Sequence, residues 1–242
     1  MKKGILITGT DTGVGKTVVS AALVYYLRSQ GLDVGVMKPV HTGCRFIGSK
    51  PIGEDTQLLI RAAGVQDLPE MVTPYCLEYP LAPWTASQLE GVHIKLFVLL
   101  KAYQELRRRH SFLVVEGVGG LAVPITARLS VADLALSFEL PLLVVARPGL
   151  GTLNHTKLTI EYAKARKIPV KGIVLNETQK RKAELAEKTN PAALTALCNV
   201  PILGNIPFIH GLKHHGSGLN RAIKRVKRHI RMEALIDLFD LK

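Results

Sequence analysis

A lysine–threonine pair at the mouth of a glycine-rich turn is equipment for holding phosphate. Lys16-Thr17 closes the stretch GTDTGVGKT, Gly9 to Thr17, which follows the apolar run GILIT at 4–8 and precedes the helix-like VVSAALVYYL. A buried strand, a glycine turn and a helix in that order aim backbone N–H groups and the positive end of a helix at an anion. Gly13, Val14, Gly15, Lys16, Thr17 and Val18 are the nucleotide-binding candidates; Lys16 reaches the outer phosphates and the Thr17 hydroxyl suits Mg²⁺. The spacing departs from the usual four residues between the glycines. Five separate Gly9 from Gly15, and Thr10 stands where the first glycine is expected.

Other residues at strand ends extend the chemistry. Lys38 ends a second apolar run, in VMKPVHTG. Pro39 favours an extended exit, so Lys38 points out at the same sheet edge as Lys16. Two lysines there would stabilise charge on a transferring phosphoryl group. Glu116 ends FLVV and is followed by GVGG, whose glycines allow close backbone approach to a ligand. A carboxylate at that edge suits Mg²⁺; a solvated strand end is the plain reading. Asp55, in GEDTQLL, reads as a loop residue just before a helix, either a metal ligand or an N-cap. The loop 147–155, RPGLGTLNH, suits a second anion or is an ordinary strand-to-helix turn. Asn176, after GIVL, reads a base edge or caps a turn. The histidines form no ligand-spaced set.

These residues need a sheet with its strand ends in register. Apolar runs recur at 4–8, 33–38, 112–116, 141–146, 170–175 and 201–206, short and continuous as buried parallel strands are. Helical patterns fill 17–30, 93–109, 153–166 and 183–198. The expectation is an α/β fold, a doubly wound, mainly parallel sheet flanked by helices, as a single domain of P-loop NTPase type. The proline-punctuated segment 67–91 reads as a long connection with a short helix at 85–90. Residues 219–238 read as one basic amphipathic helix, with Ile223, Val226 and Ile230 on one side.

Composition narrows the classes. The chain has 242 residues, 47% hydrophobic, with no apolar run long enough to span a bilayer. No secretory signal is visible at the start. Cys44, Cys76 and Cys198 lie far apart without CxxC spacing, which fits a reduced, cytoplasmic setting and speaks against a disulfide framework or zinc site. Net charge is +13, and Lys213 to Arg231 holds seven Lys/Arg and no acid. That run reads as a solvated tail or helix face, or as a surface for nucleic acid or membrane.

In order, GTDTGVGKT, KPVHTG, GEDTQLL, TPYCLEYPLAP, VEGVGG, RPGLGTLNHT, GIVLNE and LGNIP resemble the ATP-dependent dethiobiotin synthetases of biotin biosynthesis, over roughly residues 1 to 210. The resemblance also accounts for the five-residue gap. It implies a cytoplasmic, Mg²⁺-dependent ligase that carboxylates 7,8-diaminononanoate with CO₂ and closes the ring at the expense of ATP, through a carbamate and a carbamic–phosphoric anhydride. It implies that Lys38, Lys16 and Thr12 are catalytic and that Thr17, Asp55 and Glu116 organise Mg²⁺. Thr12, Lys38, Thr42 and Gly117, Val118, Gly119, Gly120 would contact the diamine and its carbamate. Leu150, Gly151 and Asn154 would hold the substrate's carboxylate tail from the partner subunit of a homodimer. Asn176 and Pro207 would meet adenine.

Two features depart from that pattern. Gly13 stands where some relatives carry an acidic residue, and from Gly211 the basic end does not resemble the short family terminus. The expected division is a synthetase domain at 1–212 and a basic helical extension at 213–242. The competing class is a ParA/MinD-type partitioning or positioning ATPase binding DNA or membrane through its basic tail. Such loops carry an extra lysine near their start; between Gly9 and Gly15 there is none. An amidotransferase-linked ligase would add a glutaminase domain, for which the chain has no room.

Overall fold

Strands buried on both faces need uninterrupted apolar sequence, and the six apolar runs become the six strands of one sheet. The computed structural model describes residues 4–48, 50–180, 182, 184–209 and 218–238. In chain order the elements are β1 (Gly4–Gly9), α1 (Lys16–Ser29), β2 (Val34–Met37), β3 (Val40–Thr42), β4 (Arg45–Ile47), β5 (Lys50–Ile52), α2 (Glu54–Ala63), α3 (Pro69–Val72), β6 (Tyr75–Leu77), α4 (Pro83–Leu89), α5 (Leu96–Arg109), β7 (Phe112–Gly120), β8 (Pro124–Thr126), β9 (Leu129–Ser130), α6 (Val131–Ser137), β10 (Leu142–Ala146), α7 (Thr152–Ala165), β11 (Val170–Asn176), α8 (Leu185–Cys198), β12 (Ile202–Ile206), α9 (Gly218–Lys227) and α10 (Met232–Leu238).

The main sheet runs β12-β11-β10-β1-β7-β2, and every neighbouring pair is parallel. Chain order reverses direction across β1, so the crevice at its carboxyl end is the topological switch point where open α/β sheets bind ligands. Alternation along the strands divides the core. Ile5, Ile7, Phe112, Val114 and Val145 pack with α1 and α2 on one face. Leu6, Leu113, Val115 and Leu142 pack under α5 and α6 on the other, where Val144, Ile173 and Leu175 continue the layer under α7 and α8. Each such side chain contributes about 1.5–3 kcal/mol by leaving water.

Several expectations are corrected here. The segment 67–91 is more ordered than a connection, because Pro69 and Pro83 start α3 and α4 at positions where a missing N–H costs nothing. The helix expected over 219–238 divides into α9 and α10. Between them the chain leaves the helix to bridge the edge strand β12: Gly204 pairs with Ile230, the Asn205 N–H donates to His229 O at 3.2 Å, and the Arg231 N–H donates to Leu203 O at 2.6 Å. Ile223, Val226 and Ile230 do share one side, buried against the layer that holds α1. Lys227 Nζ lies 4.7 Å from the Tyr26 ring. The expected boundary at 212/213 and His214-His215 lie outside the described residues. Among the described residues, no helix is long and apolar enough to cross a membrane.

The cysteines also differ from expectation. β3 pairs with β6 in parallel, with His41 opposite Cys76. Gly43, at φ +81°, turns the chain, and Cys44 is joined to Cys76 in a disulfide with Cα atoms 5.9 Å apart. A 32-residue separation hides this pairing from sequence spacing. Cys198 is free and buried.

Candidate functional site

Residues from several strand ends meet around one cavity of about 690 Å³. β1 delivers the phosphate loop, which the Thr10 N–H ties to Val145 O at 3.0 Å. Asp11 accepts from the Thr12 N–H at 2.7 Å and from Arg147 at 2.5 Å, so β10 braces the loop from outside. Gly13 and Gly15 take left-handed φ of +73° and +87° around a fully buried Val14. At Gly15 a Cβ would meet Asn176 Nδ2 at 2.1 Å, so only glycine fits. α1 then starts at Lys16 with no side-chain cap, leaving its first N–H groups directed at the cavity.

The charged group is tight. Lys38 Nζ donates to Glu116 Oε1 at 2.8 Å and to Asp55 Oδ2. The Thr17 hydroxyl donates to the same Glu116 oxygen at 2.9 Å. Glu116 is still in register opposite Ile7, and strand alternation puts it on the α1 face with Phe112 and Val114; β7 then gains two residues against β1 before the pair Gly9–Gly120. That bulge turns Gly117, Val118 and Gly119 to the cavity beside it. Asp55 sits within the first turn of α2, whose N-cap is Gly53, so it is neither the loop residue expected nor the cap.

Burial lowers the Lys16 pKa, and Lys38 pushes it the same way. Burial also works against the Lys38 charge, but Glu116 and Asp55 together outweigh it and hold that pKa above the ordinary lysine value. His41, also at the wall, has its pKa lowered to about 4, first by burial and then by Lys38. Its Nδ1 lies 3.3 Å from Thr56 Oγ1.

Thr12, Gly13, Gly15, Lys16, Thr17, Val18, Lys38, Thr42, Asp55, Glu116, Gly117, Val118, Gly119 and Asn176 all line this cavity. Val14 contributes a buried anchor, its carbonyl accepting from Asn176 Nδ2 at 2.8 Å. Gly120 lies behind the lining, paired with Gly9. Pro207 borders an adjoining hollow with Phe208, Ile209, Arg225, Arg228 and His229. Leu150, Gly151 and Asn154 lie outside the cavity of their own chain, with Leu150 97% exposed. Sequence reasoning missed His41, Glu177, Thr178, Phe208 and Ile209 in the lining. Four of the five directly follow Asn176 or Pro207, and His41 lies within VMKPVHTG; only a fold placing those strand ends together makes them count.

The donors suit a hard cation. Thr17, Asp55 and Glu116 offer oxygen alone, the preference of Mg²⁺. Glu116 is 1% exposed, yet its Oε2 has no hydrogen-bond partner. Such an orphaned carboxylate oxygen is costly unless a ligand supplies the missing charge.

Known proteins are similar to this chain in sequence and in fold. The family pattern described as an AAA domain matches residues 3–215. The ATP-dependent dethiobiotin synthetase BioD of Thermodesulfovibrio yellowstonii is 41% identical over 245 residues, covering 98% of this chain and 100% of the relative. The protein of the same name from Bacillus subtilis (strain 168) is 37% identical, covering 97% and 98%. Among solved structures, a ParA family ATPase from Chlorobium tepidum superposes with TM-score 0.57 at 12% identity, covering 97% of this chain and 99% of that one. The MinC:MinD complex of Aquifex aeolicus gives 0.55 at 14%, covering 98% and 96%. At such identities these two likenesses speak for the P-loop fold alone.

Proposed function

This chain belongs to the ATP-dependent dethiobiotin synthetases, and from that premise we propose how its residues form the ring of dethiobiotin. One amine of 7,8-diaminononanoate takes up CO₂ as a carbamate, losing a proton. A carbamate oxygen attacks the γ-phosphorus of ATP and ADP leaves, giving a carbamic–phosphoric anhydride. The second amine attacks the anhydride carbonyl, loses its proton and expels phosphate as the ring closes. Little covalent help is required, so positioning and charge stabilisation carry the catalysis.

Each residue has a place in that path. Lys16 and the free N–H groups of the α1 start hold the β- and γ-phosphates. Thr17, Asp55 and Glu116 would hold Mg²⁺, which supplies charge neutralisation at the phosphate oxygens when bound. Lys38 moves off the two carboxylates to bridge a carbamate oxygen and a γ-phosphate oxygen, where negative charge shifts during transfer. Thr12 and Thr42 donate to the diamine's carbamate, and Gly117 to Gly120 let backbone approach the substrate. Asn176 spends one N–H on Val14, leaving its second N–H and its oxygen for adenine, beside Pro207. Leu150, Gly151 and Asn154, remote from their own cavity, serve the substrate tail in a second copy across a homodimer.

One observation supports this reading above the rest: a buried ammonium held between two carboxylates, in the same cavity as a phosphate loop. The test is phosphate release with Mg-ATP, bicarbonate and the diamine. Release in step with ring formation, and absent without diamine, is expected. Release indifferent to the diamine overturns the reading. For the second copy, Leu150→Glu should raise the KM for the diamine while the KM for ATP holds; an unchanged diamine KM removes this residue from the substrate tail.

A further inference from the structure

Behind the substrate wall, three soft or borderline metal donors converge. The ligand atoms of His41, Cys44 and Cys76 all lie within 4.8 Å of one another. The β3–β6 ladder sets His41 directly opposite Cys76, on one face of the pair. Gly43 turns the chain, and the Cys44 N–H donates to Leu77 O at 2.9 Å, fixing the second sulfur to the same ladder. His41 and Cys44 are buried and Cys76 is half-buried. A disulfide accounts for the two sulfurs. It gives no reason for an imidazole against them.

We propose that reduction of the Cys44–Cys76 disulfide by two equivalents of a small-molecule thiol, which leave as their own disulfide, turns this cluster into a binding site for a soft divalent cation of the Zn²⁺ class. Two thiolates and one imidazole are a standard three-residue set that leaves a fourth position for water. With metal–sulfur bonds of about 2.3 Å and metal–nitrogen bonds of about 2.0 Å, tetrahedral ligands stand roughly 3.5–3.8 Å apart. Rotation of the released cysteine side chains supplies that spread from the present spacing. The imidazole is also backed as metal-bound histidines are. Thr56 Oγ1 lies 3.3 Å from Nδ1, so with the metal on Nε2 the other ring nitrogen has an oxygen to hold it.

The two states exclude each other. Binding the cation displaces two thiol protons. Oxidation by a small-molecule disulfide proceeds when one cysteine thiolate attacks a sulfur of that oxidant and releases its first thiolate. The second cysteine then attacks the mixed disulfide, closes Cys44–Cys76 and releases the second thiolate. Two electrons pass to the oxidant, and the cation, its sulfur ligands gone, returns to solvent.

Cobalt titration reads the site directly. The reduced chain should take up one Co²⁺ with thiolate-to-metal charge-transfer absorption, which Zn²⁺ abolishes. The disulfide form should show none. Cys76→Ser should weaken Co²⁺ binding by about a hundredfold or more, and His41→Gln by at least about tenfold, whereas Cys198→Ser leaves it unchanged. Absorption that survives in the oxidised chain, or that follows Cys198, overturns the proposal. A second measurement needs no variant: Zn²⁺ should slow alkylation of Cys76 in the reduced chain, as read by mass spectrometry. Alkylation indifferent to Zn²⁺ overturns the proposal as well.

Discussion

The two halves of one sheet edge divide the work unevenly. On the β1–β7–β2 side, Lys16, Lys38, Glu116 and, from α2, Asp55 crowd into contact range, and His41 is forced neutral beside them. On the β10–β11–β12 side, Asn176, Glu177, Thr178, Phe208 and Ile209 line the same cavity, with no lysine or arginine among them. Both halves have the same parallel geometry, so topology does not make the difference. The residue types at the strand ends do: Lys38 follows β2 and Glu116 lies in β7, whereas β11 ends on the amide of Asn176. Register shifts occur in both halves, so the charge carried at each strand end, and not the slip, separates them.

The comparison breaks most visibly at Lys38. Lys38→Met should cut ring formation by about 10²–10³-fold. It also strands Glu116, which should cost roughly 3–5 kcal/mol of stability without ligand. Mg²⁺ should return more stability to this variant than to the unsubstituted chain; equal gains in thermal scans would separate Lys38 from the metal ligands.

Next comes acid sensitivity. Burial drops the His41 pKa from 6.5 to about 4. Between those values the unfolded chain binds a proton that the folded chain does not. Stability is therefore full above pH 6.5 and falls as pH drops through the window, by about 3 kcal/mol in all. Urea midpoints at pH 7 and pH 4 should differ less in His41→Gln. An identical loss in both would place the acid response elsewhere.

Smaller effects sharpen the contrast. Glu116→Gln should raise the Mg²⁺ concentration for half-maximal turnover by about 10–100-fold. On the other half, Asn176→Ala should raise the KM for ATP by about tenfold with little change in kcat, as for uniform binding. A loss at Asn176 as large as that at Lys38 would erase the distinction between the halves.

Much of this edge is legible in the sequence for one physical reason. Buried parallel strands are continuous apolar runs, so their ends announce Lys16, Lys38, Glu116 and Asn176 without any knowledge of pairing. What depends on pairing is not legible. The disulfide arises from the β3–β6 ladder, and β4 and β5, largely exposed, carry no apolar pattern. Asp55 reads as a loop residue or cap because the same residue type serves both, and only Gly53 at the cap position decides it. The run 219–238 has one helical stripe, but its last apolar member, Ile230, is used as backbone against Gly204.

That bridge has a consequence for how copies of the chain meet. The outer side of β12 would otherwise present unpaired N–H and C=O groups, a template on which another molecule could add a strand. Residues 229–231 occupy those groups, and the approach is so close that a Cβ on Gly204 would sit 2.7 Å from His229 O. The chain thus seals its own sheet, with the exposed Arg228 and Arg231 on either side of His229 and Ile230. Gly204→Val, by pushing residues 229–231 off that edge, should promote self-association, as light scattering would read.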